Sequence, residues 1–243
     1  MIPLLGVAWA APDPAALQAA ITSAEAALQK KGAFAITLPP GAAARLAAGE
    51  VVRTREDLAG ADRVIGALWT DRPRDALWIA ILDDAHVDLV AGLTEAQLPG
   101  TGPLRKVLYQ KLDLPFPLTD RQWVIDIQSN TALAATSAGQ VWERSWVLGD
   151  PKAAVDADPD AIWTTVNEGG YLLIDAAGGT LLVYHVRSEV GGNVPDDAST
   201  RYAWSTLEEL LRTTERRADA VPAHYDAKHA PVVRPDGTPI PPY

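Results

Sequence analysis

"YQKLDLPFPLTDRQWVIDI", Tyr109 to Ile127, decides how the rest of the chain is read. It begins as a strand, is interrupted by Pro115 and Pro117 on either side of Phe116, passes through Thr119-Asp120-Arg121, and resumes as a strand. Proline lacks a backbone N–H and has a fixed φ, so this pair cannot sit inside a sheet ladder. They mark a corner where one strand ends, with Phe116 expected to anchor the bend. Arg121 could contact a ligand head group. The backbone groups freed by a proline-rich corner need partners, and this favours a turn-fixing role for Arg121 instead. Beyond the corner, Trp123, Ile125 and Ile127 alternate with Val124, Asp126 and Gln128, the period of a strand with one buried face.

The same period recurs along the chain. Leu182, Tyr184 and Val186 alternate with His185 and Arg187, which puts His185 on the solvent side. "SAGQVWERSWVLGD", "AIWTTVNEGGYLLID", Leu46 to Thr54 and Arg63 to Trp69 also read as strands, and alternation implies an antiparallel sheet wet on one face. Asp13-Pro14 opens a helix carrying Leu17, Ile21, Ala24 and Leu28 and stopping at Lys30-Lys31-Gly32. Asp71 and Pro73 open a second helix, with Leu77, Trp78, Ile81 and Leu82 on one face. A long helix runs from Pro195 to about Arg217, with Tyr202 or Ala203, Leu207, Leu210 and Leu211 as its apolar stripe. Its wet side carries Arg212, Glu215, Arg216 and Arg217. Grouped strands with helices at the ends predict an α+β fold. A curved sheet closing on one long helix can leave a hollow, the usual seat of an apolar ligand.

Composition narrows the function. The 243 residues suit one domain with tails, and 48% hydrophobic against 21% charged residues excludes a disordered chain. A formal charge of −10 argues against nucleic acid as a partner. The chain has no cysteine, which excludes disulfides, thiolate nucleophiles and Cys-ligated metals. Residues 1–11 hold a short apolar run and Ala8-Trp9-Ala10, with no basic residue ahead of them. They read as a truncated export signal, which would make the protein exported or periplasmic, or as an apolar arm on a cytoplasmic one. Residues 219–243 read as a Pro-rich extended tail. "HYDAKH", His224 to His229, could hold a metal, but its place in that tail argues against it, and no metal or cofactor is expected. No G-x-S-x-G, H-E-x-x-H or phosphate loop is present. Asp83-Asp84 and Asp196-Asp197 fit capping roles. Glu143 and Arg144 are neighbours on one strand, so one of them can face inward; this alone supports an enzymatic reading.

Four stretches in order carry a family resemblance: "PRDALWIAILDD", "VLYQKLDLPFPLTDRQWVIDI", "NEGGYLLIDAAGGTLLVYHVRSEVGGNVP" and "YAWSTLEELLRTT". Over roughly Leu38 to Ala218 the chain resembles START domains, the lipid-transfer modules related to steroidogenic acute regulatory protein. These belong to a helix-grip superfamily shared with polyketide cyclases and plant pollen allergens. The resemblance implies a helix-grip fold, a curved antiparallel sheet wrapped around a long C-terminal helix with an internal apolar cavity, over residues 12–218. It implies binding or transfer of one lipid or other hydrophobic small molecule by a monomer in transient membrane contact. The lid would be the C-terminal helix with a mobile loop, Gly149 to Ala161. The expected lining is Trp123, Ile125, Ile127, Trp146, Tyr184, Val186, Trp204, Leu207 and Leu211. Some sterol-binding members aim a charged residue into the tunnel from the strand after Asp-Arg. Ile125 and Ile127 stand there in this chain, which implies a uniformly apolar tunnel. A non-catalytic binder is expected, with a cyclase- or dehydratase-type enzyme, or an interaction module with a filled hollow, as the alternatives.

Overall fold

The computed structural model describes residues 11–30, 35–83, 92–189, 191–192 and 197–243. The signal-like stretch 1–10, the Lys31-Gly32 stop, Asp84, His86, Pro195 and Asp196 lie outside the described residues.

The first helix, α1 (Pro14–Lys30), starts where expected: Asp13 accepts the Ala15 N–H at 3.1 Å through its carboxylate and the Leu17 N–H at 3.0 Å through its carbonyl. Leu17, Ile21, Ala24 and Leu28 are all buried. The strand expected from Leu46 is instead the end of a short helix, α2 (Ala42–Ala47), followed by β1 (Val52–Glu56). The alanine-rich run favours the helix, and Gly49, at φ 79°, ends it in the left-handed conformation that glycine adopts without strain. Next come β2 (Arg63–Thr70), α3 (Arg74–Leu82), β3 (Leu93–Gln97), β4 (Arg105–Leu112) and β5 (Arg121–Ser129). The next segment forms α4 (Thr131–Thr136), which Asn130 caps by accepting the Leu133 N–H at 2.9 Å. The chain finishes with β6 (Val141–Leu148), β7 (Ile162–Trp163), β8 (Val166–Ala176), β9 (Gly179–Glu189) and α5 (Ala198–His224).

The strands form one sheet in the order β1-β2-β9-β8-β6-β5-β4-β3, antiparallel throughout, with β7 pairing in parallel at the start of β5. Its register sets side chains in rows across the inner face. One row is Lys106, Ile127, Trp146, Gly169, Val186 and Val64, and the next holds Ser129, Arg144, Tyr171, Tyr184 and Gly66. One end of this face is filled: Trp142, Leu173, Leu182 and Leu68 pack with Leu77 and Trp78 of α3 and Leu211, Ala218 and Val221 of α5.

The opposite face is wet over β5 and β6, where Gln128 and Val147 are exposed, but it is covered over β2, β8 and β9. Ile65, Ala67, Leu172, Leu181 and Val183 pack there against Leu17, Ile21 and Leu28 of α1 and Leu46 of α2. His185, expected in solvent, is fully buried on that side. Alternation reports that two faces differ but cannot report a helix from elsewhere in the chain laid over the more polar one.

The stripe of α5 also differs from expectation. Thr200, Leu207, Leu211, Thr214, Ala218 and Val221 are its buried residues, while Tyr202 is exposed and the helix continues past Arg217 with Pro222 inside it. The tail lies on α3, where Trp78 donates to the Val233 carbonyl at 2.9 Å. No helix among the described residues is long and apolar enough to cross a membrane.

Candidate functional site

The Pro115-Phe116-Pro117 corner is closed by polar side chains. Arg121 is buried and donates to the carbonyls of Thr119, of Asp120 (3.4 Å) and of Gly191 (2.9 Å), the turn-fixing role. Asp120 accepts the Leu114 N–H at 2.9 Å, which, helped by Lys111, holds its carboxyl below the usual carboxylate range. Lys111 sits between Asp158 (2.8 Å), Asp120 (3.1 Å) and Asp113 (3.3 Å). Phe116 anchors nothing: its ring is 96% exposed. The bend is held instead by these bonds and by the Leu118 N–H on the Pro115 carbonyl, which leaves the aromatic ring free. Arg121→Ala is expected to cost about 3 kcal/mol of stability, because three carbonyls lose a buried charged donor. Urea unfolding reads this, and a change below about 0.5 kcal/mol would remove Arg121 from the corner's support.

Loop 149–161 is tied down where it meets the corner. Gln122 is buried and donates to the carbonyls of Asp158 (2.8 Å) and Ala161 (2.9 Å), and it accepts from Asp158 N–H (3.1 Å) and the Tyr109 hydroxyl (2.8 Å). The loop is a strand-to-strand link with a bonded end and an exposed tip at Val155.

Six of the nine expected lining residues share the inner face. Trp123 and Ile125 form a small apolar cluster with Leu108, flanked by Leu93, Leu112, Ile127, Trp146 and Leu148. Trp146 lies 5.8 Å from Tyr184 and 6.4 Å from Tyr171, ring centre to ring centre. The two tyrosines are 4.9 Å apart. Val186 follows Tyr184 on the same side of β9. Ile127, Trp146, Tyr171, Tyr184 and Val186 all remain half-buried although they belong to central strands. The other three residues lie on α5. Leu207 and Leu211 are buried, with Leu211 in the packed end, and Trp204 lies exposed at the β1 edge with the Arg53 guanidinium 5.1 Å from its ring centre.

Tyr171 pairs with Tyr184 and was not legible from period, because Tyr171-Leu172-Leu173-Ile174 is apolar on both faces. Burial pushes its hydroxyl up to about 12, and pushes that of Tyr184 well above the ordinary range. The room for Trp146 comes from Gly169, where a Cβ would stand 2.4 Å from Trp146 Cζ2.

The inner face is not uniformly apolar. Of the neighbours Glu143 and Arg144, Arg144 faces inward, buried and donating to Ser129 Oγ at 3.0 Å and the Leu104 carbonyl at 3.1 Å. Lys106 is on the same face and donates to the Leu82 carbonyl at 3.1 Å. Glu143 lies on the outer face, accepting from Asn130 Nδ2 at 2.5 Å, and burial raises its carboxyl above the usual range. His185, also on the outer face, is pushed down to about 3 by burial and by nearby Arg63. His224 and His229 each bring Nε2 to 3.2 Å from one oxygen of Asp83.

No protein-family model and no curated protein matches this chain. Solved structures do. Human STARD10 superposes with a TM-score of 0.57 at 13% identity, over 79% of this chain and 84% of that one. Human StAR-related lipid transfer protein 5 gives 0.54 at 12% identity, over 84% and 97%. The lipid transfer and protein localization domain of human StarD13 gives 0.50 at 12% identity, over 70% and 82%. The architecture is therefore the START-like helix-grip α+β fold, with α5 as the gripped helix.

Proposed function

From this START-like helix-grip fold, we propose that the chain binds one lipid or other hydrophobic small molecule between the inner face of the sheet and the N-terminal half of α5. The observation that carries the reading is the contrast between the two ends of that face. At the α3 end, Leu68, Leu173, Leu182 and Leu211 are fully buried. At the other end, Ile127, Trp146, Tyr171, Tyr184 and Val186 are only half-buried, as walls of a hollow would be. Trp123, Ile125, Leu108 and Leu148 extend the apolar wall toward the corner. Burial of ligand surface against it would supply roughly 25 cal/mol per Å². Arg144 and the two tyrosine hydroxyls offer polar contacts on an otherwise apolar wall.

Contact with a membrane during exchange belongs to the same reading. Phe116 and Leu118 on the corner and Val155 on the neighbouring loop are exposed apolar side chains, as is Tyr202 near the start of α5. The acidic surface favours a neutral bilayer over an anionic one.

Binding without catalysis is favoured over a cyclase- or dehydratase-type reaction. Glu143 and His185 are on the outer face; of the inward groups, Arg144 does not give up its proton near neutral pH, Lys106 is engaged by the Leu82 carbonyl, and burial raises the Tyr171 and Tyr184 hydroxyls.

Native mass spectrometry of gently purified protein, with uptake of a fluorescent lipid, tests the proposal. A bound or captured lipid in 1:1 ratio is expected. Ile127→Asp is expected to weaken uptake at least about tenfold, because a carboxylate would face the apolar ligand. No co-purified lipid and no uptake by the unaltered chain would sink the proposal.

A further inference from the structure

We infer that residues 225–243 form a strap that immobilises the C-terminal half of α5, so that the proposed site opens by movement of the helix's N-terminal half and not of loop 149–161. This rests on the binding reading above.

The strap crosses α3 along its length. Near the start of α3, Asp75 takes two bonds from Arg234, at 3.0 and 2.7 Å. In the middle, Trp78 Nε1 donates to the Val233 carbonyl at 2.9 Å. At its end, Asp83 meets both His224 and His229. The strap also closes on its own beginning. The Tyr225 hydroxyl donates to the Ile240 carbonyl at 3.1 Å and accepts the Val232 N–H at 2.9 Å, while the Tyr243 N–H reaches the Tyr225 carbonyl at 3.1 Å. Tyr225 and Ile240 are buried, so the Pro-rich segment contributes to the core that holds Val221 and Ala218 of α5.

The C-terminal half of α5 is tied to the sheet side as well. Glu215 accepts from Thr70 at 2.7 Å, Asp219 takes two bonds from Arg72 at 2.7 and 2.9 Å, and Arg212 donates to the Gly49 carbonyl at 2.7 Å. Lifting this half would break a bidentate ion pair and expose Val221, Tyr225 and Trp78 together.

The N-terminal half is held far less. Among the described residues, its polar tie to another element is Arg53 on the Trp204 carbonyl at 3.3 Å, and its apolar seat is Leu207 against Gly66. Tyr202 and Trp204 are exposed. Local opening takes the segment with the fewest buried contacts first. Loop 149–161 competes poorly as the gate because Gln122 and Lys111 hold its end at Asp158 and Ala161.

Hydrogen–deuterium exchange on the full chain gives a first test that needs no ligand. Amides of 198–207 are expected to exchange at least about tenfold faster than those of 211–224. A second test uses the absence of native cysteine. A Cβ on Gly66 would stand 2.7 Å from Leu207 Cγ, so Gly66→Cys with Leu207→Cys puts two thiols within bonding reach. The oxidised pair is expected to take up NBD-labelled lipid at least about tenfold more slowly than the same protein reduced with dithiothreitol, since the cross-link clamps the moving half. Arg234→Ala is expected to raise exchange in 211–224 and to speed uptake. Equal exchange in the two halves, or equal uptake by oxidised and reduced pairs, overturns the strap. If the unaltered chain takes up no lipid, the binding reading fails while the exchange contrast still decides where α5 can move.

Discussion

Lowering the pH from 6.5 to 4.5 is expected to cost the fold about 2 kcal/mol through one side chain, His185. The imidazole lies on the outer face of β9, opposite Ile65 of β2, with its Nε2 3.0 Å from where a Cβ on Gly170 would stand. Burial, reinforced by Arg63, holds its folded pKa at about 3 against an ordinary 6.5. Above 6.5 neither the folded nor the unfolded chain protonates it, and its full contribution is present. As pH falls below that value the unfolded chain takes up a proton that the fold refuses, so stability drops by about 1.4 kcal/mol per unit until the folded pKa is reached. Glu143 runs the other way, because burial raises its folded pKa above the ordinary value. Its neutral form adds stability at low pH, and that contribution is lost as pH rises through the raised value. Urea unfolding between pH 4.5 and 7 reads the net slope. His185→Leu should flatten that slope and Glu143→Gln should steepen it. A His185→Leu protein with the parent's slope would mean that the imidazole is protonated inside the fold.

Gly169→Ala is expected to destabilise the protein by about 3 kcal/mol, a large effect for one methyl group. The added Cβ would stand 2.4 Å from the His185 backbone oxygen and 2.4 Å from Trp146 Cζ2. A rotamer change can relieve the contact with the indole but not the one with a neighbouring strand's backbone. Trp146 is further fixed by its Nε1 donating to Asn167 at 3.0 Å. The same substitution should push the indole into the proposed lipid space and reduce uptake. Gly170→Ala meets His185 Nε2 at 3.0 Å and the Arg144 carbonyl at 3.1 Å, contacts a few tenths of an ångström from ordinary, and is expected to cost less. Thermal unfolding of both variants checks the order, and a tolerated Gly169→Ala would show that β8 and β9 can separate locally without loss.

Much of the candidate site was legible because strand alternation is a local property. Period alone set Trp123, Ile125 and Ile127 on one side of their strand and Tyr184 and Val186 on one side of theirs, and the register brings the two sets to the same face. The corner was legible because proline's missing donor has one consequence wherever it occurs. Tyr171 sits in Tyr171-Leu172-Leu173-Ile174, apolar on both faces, so β8 carried no alternation to set it inward. Arg144 was legible as one of two alternatives, and the side it took was set by pairing with Tyr171. Phe116 was misread because a hydrophobic residue in a bend is assumed to be covered, whereas here polar groups hold the bend and leave the ring out.

By itself the sequence determined the α+β order of elements, the start of α1, the antiparallel run, the Pro-Phe-Pro corner and the turn-fixing role of Arg121. All of these follow from backbone constraints and short periods acting over a few residues. The tertiary structure alone decided that the outer face is covered over β2, β8 and β9, that His185 is buried, that Gly169 makes room for Trp146, and that a Pro-rich tail ties α3 to α5. These depend on which distant segments meet, as with Leu17 of α1 against the sheet or Arg234 against Asp75. Such meetings are set by total burial and packing of the whole chain, which no local window of sequence contains.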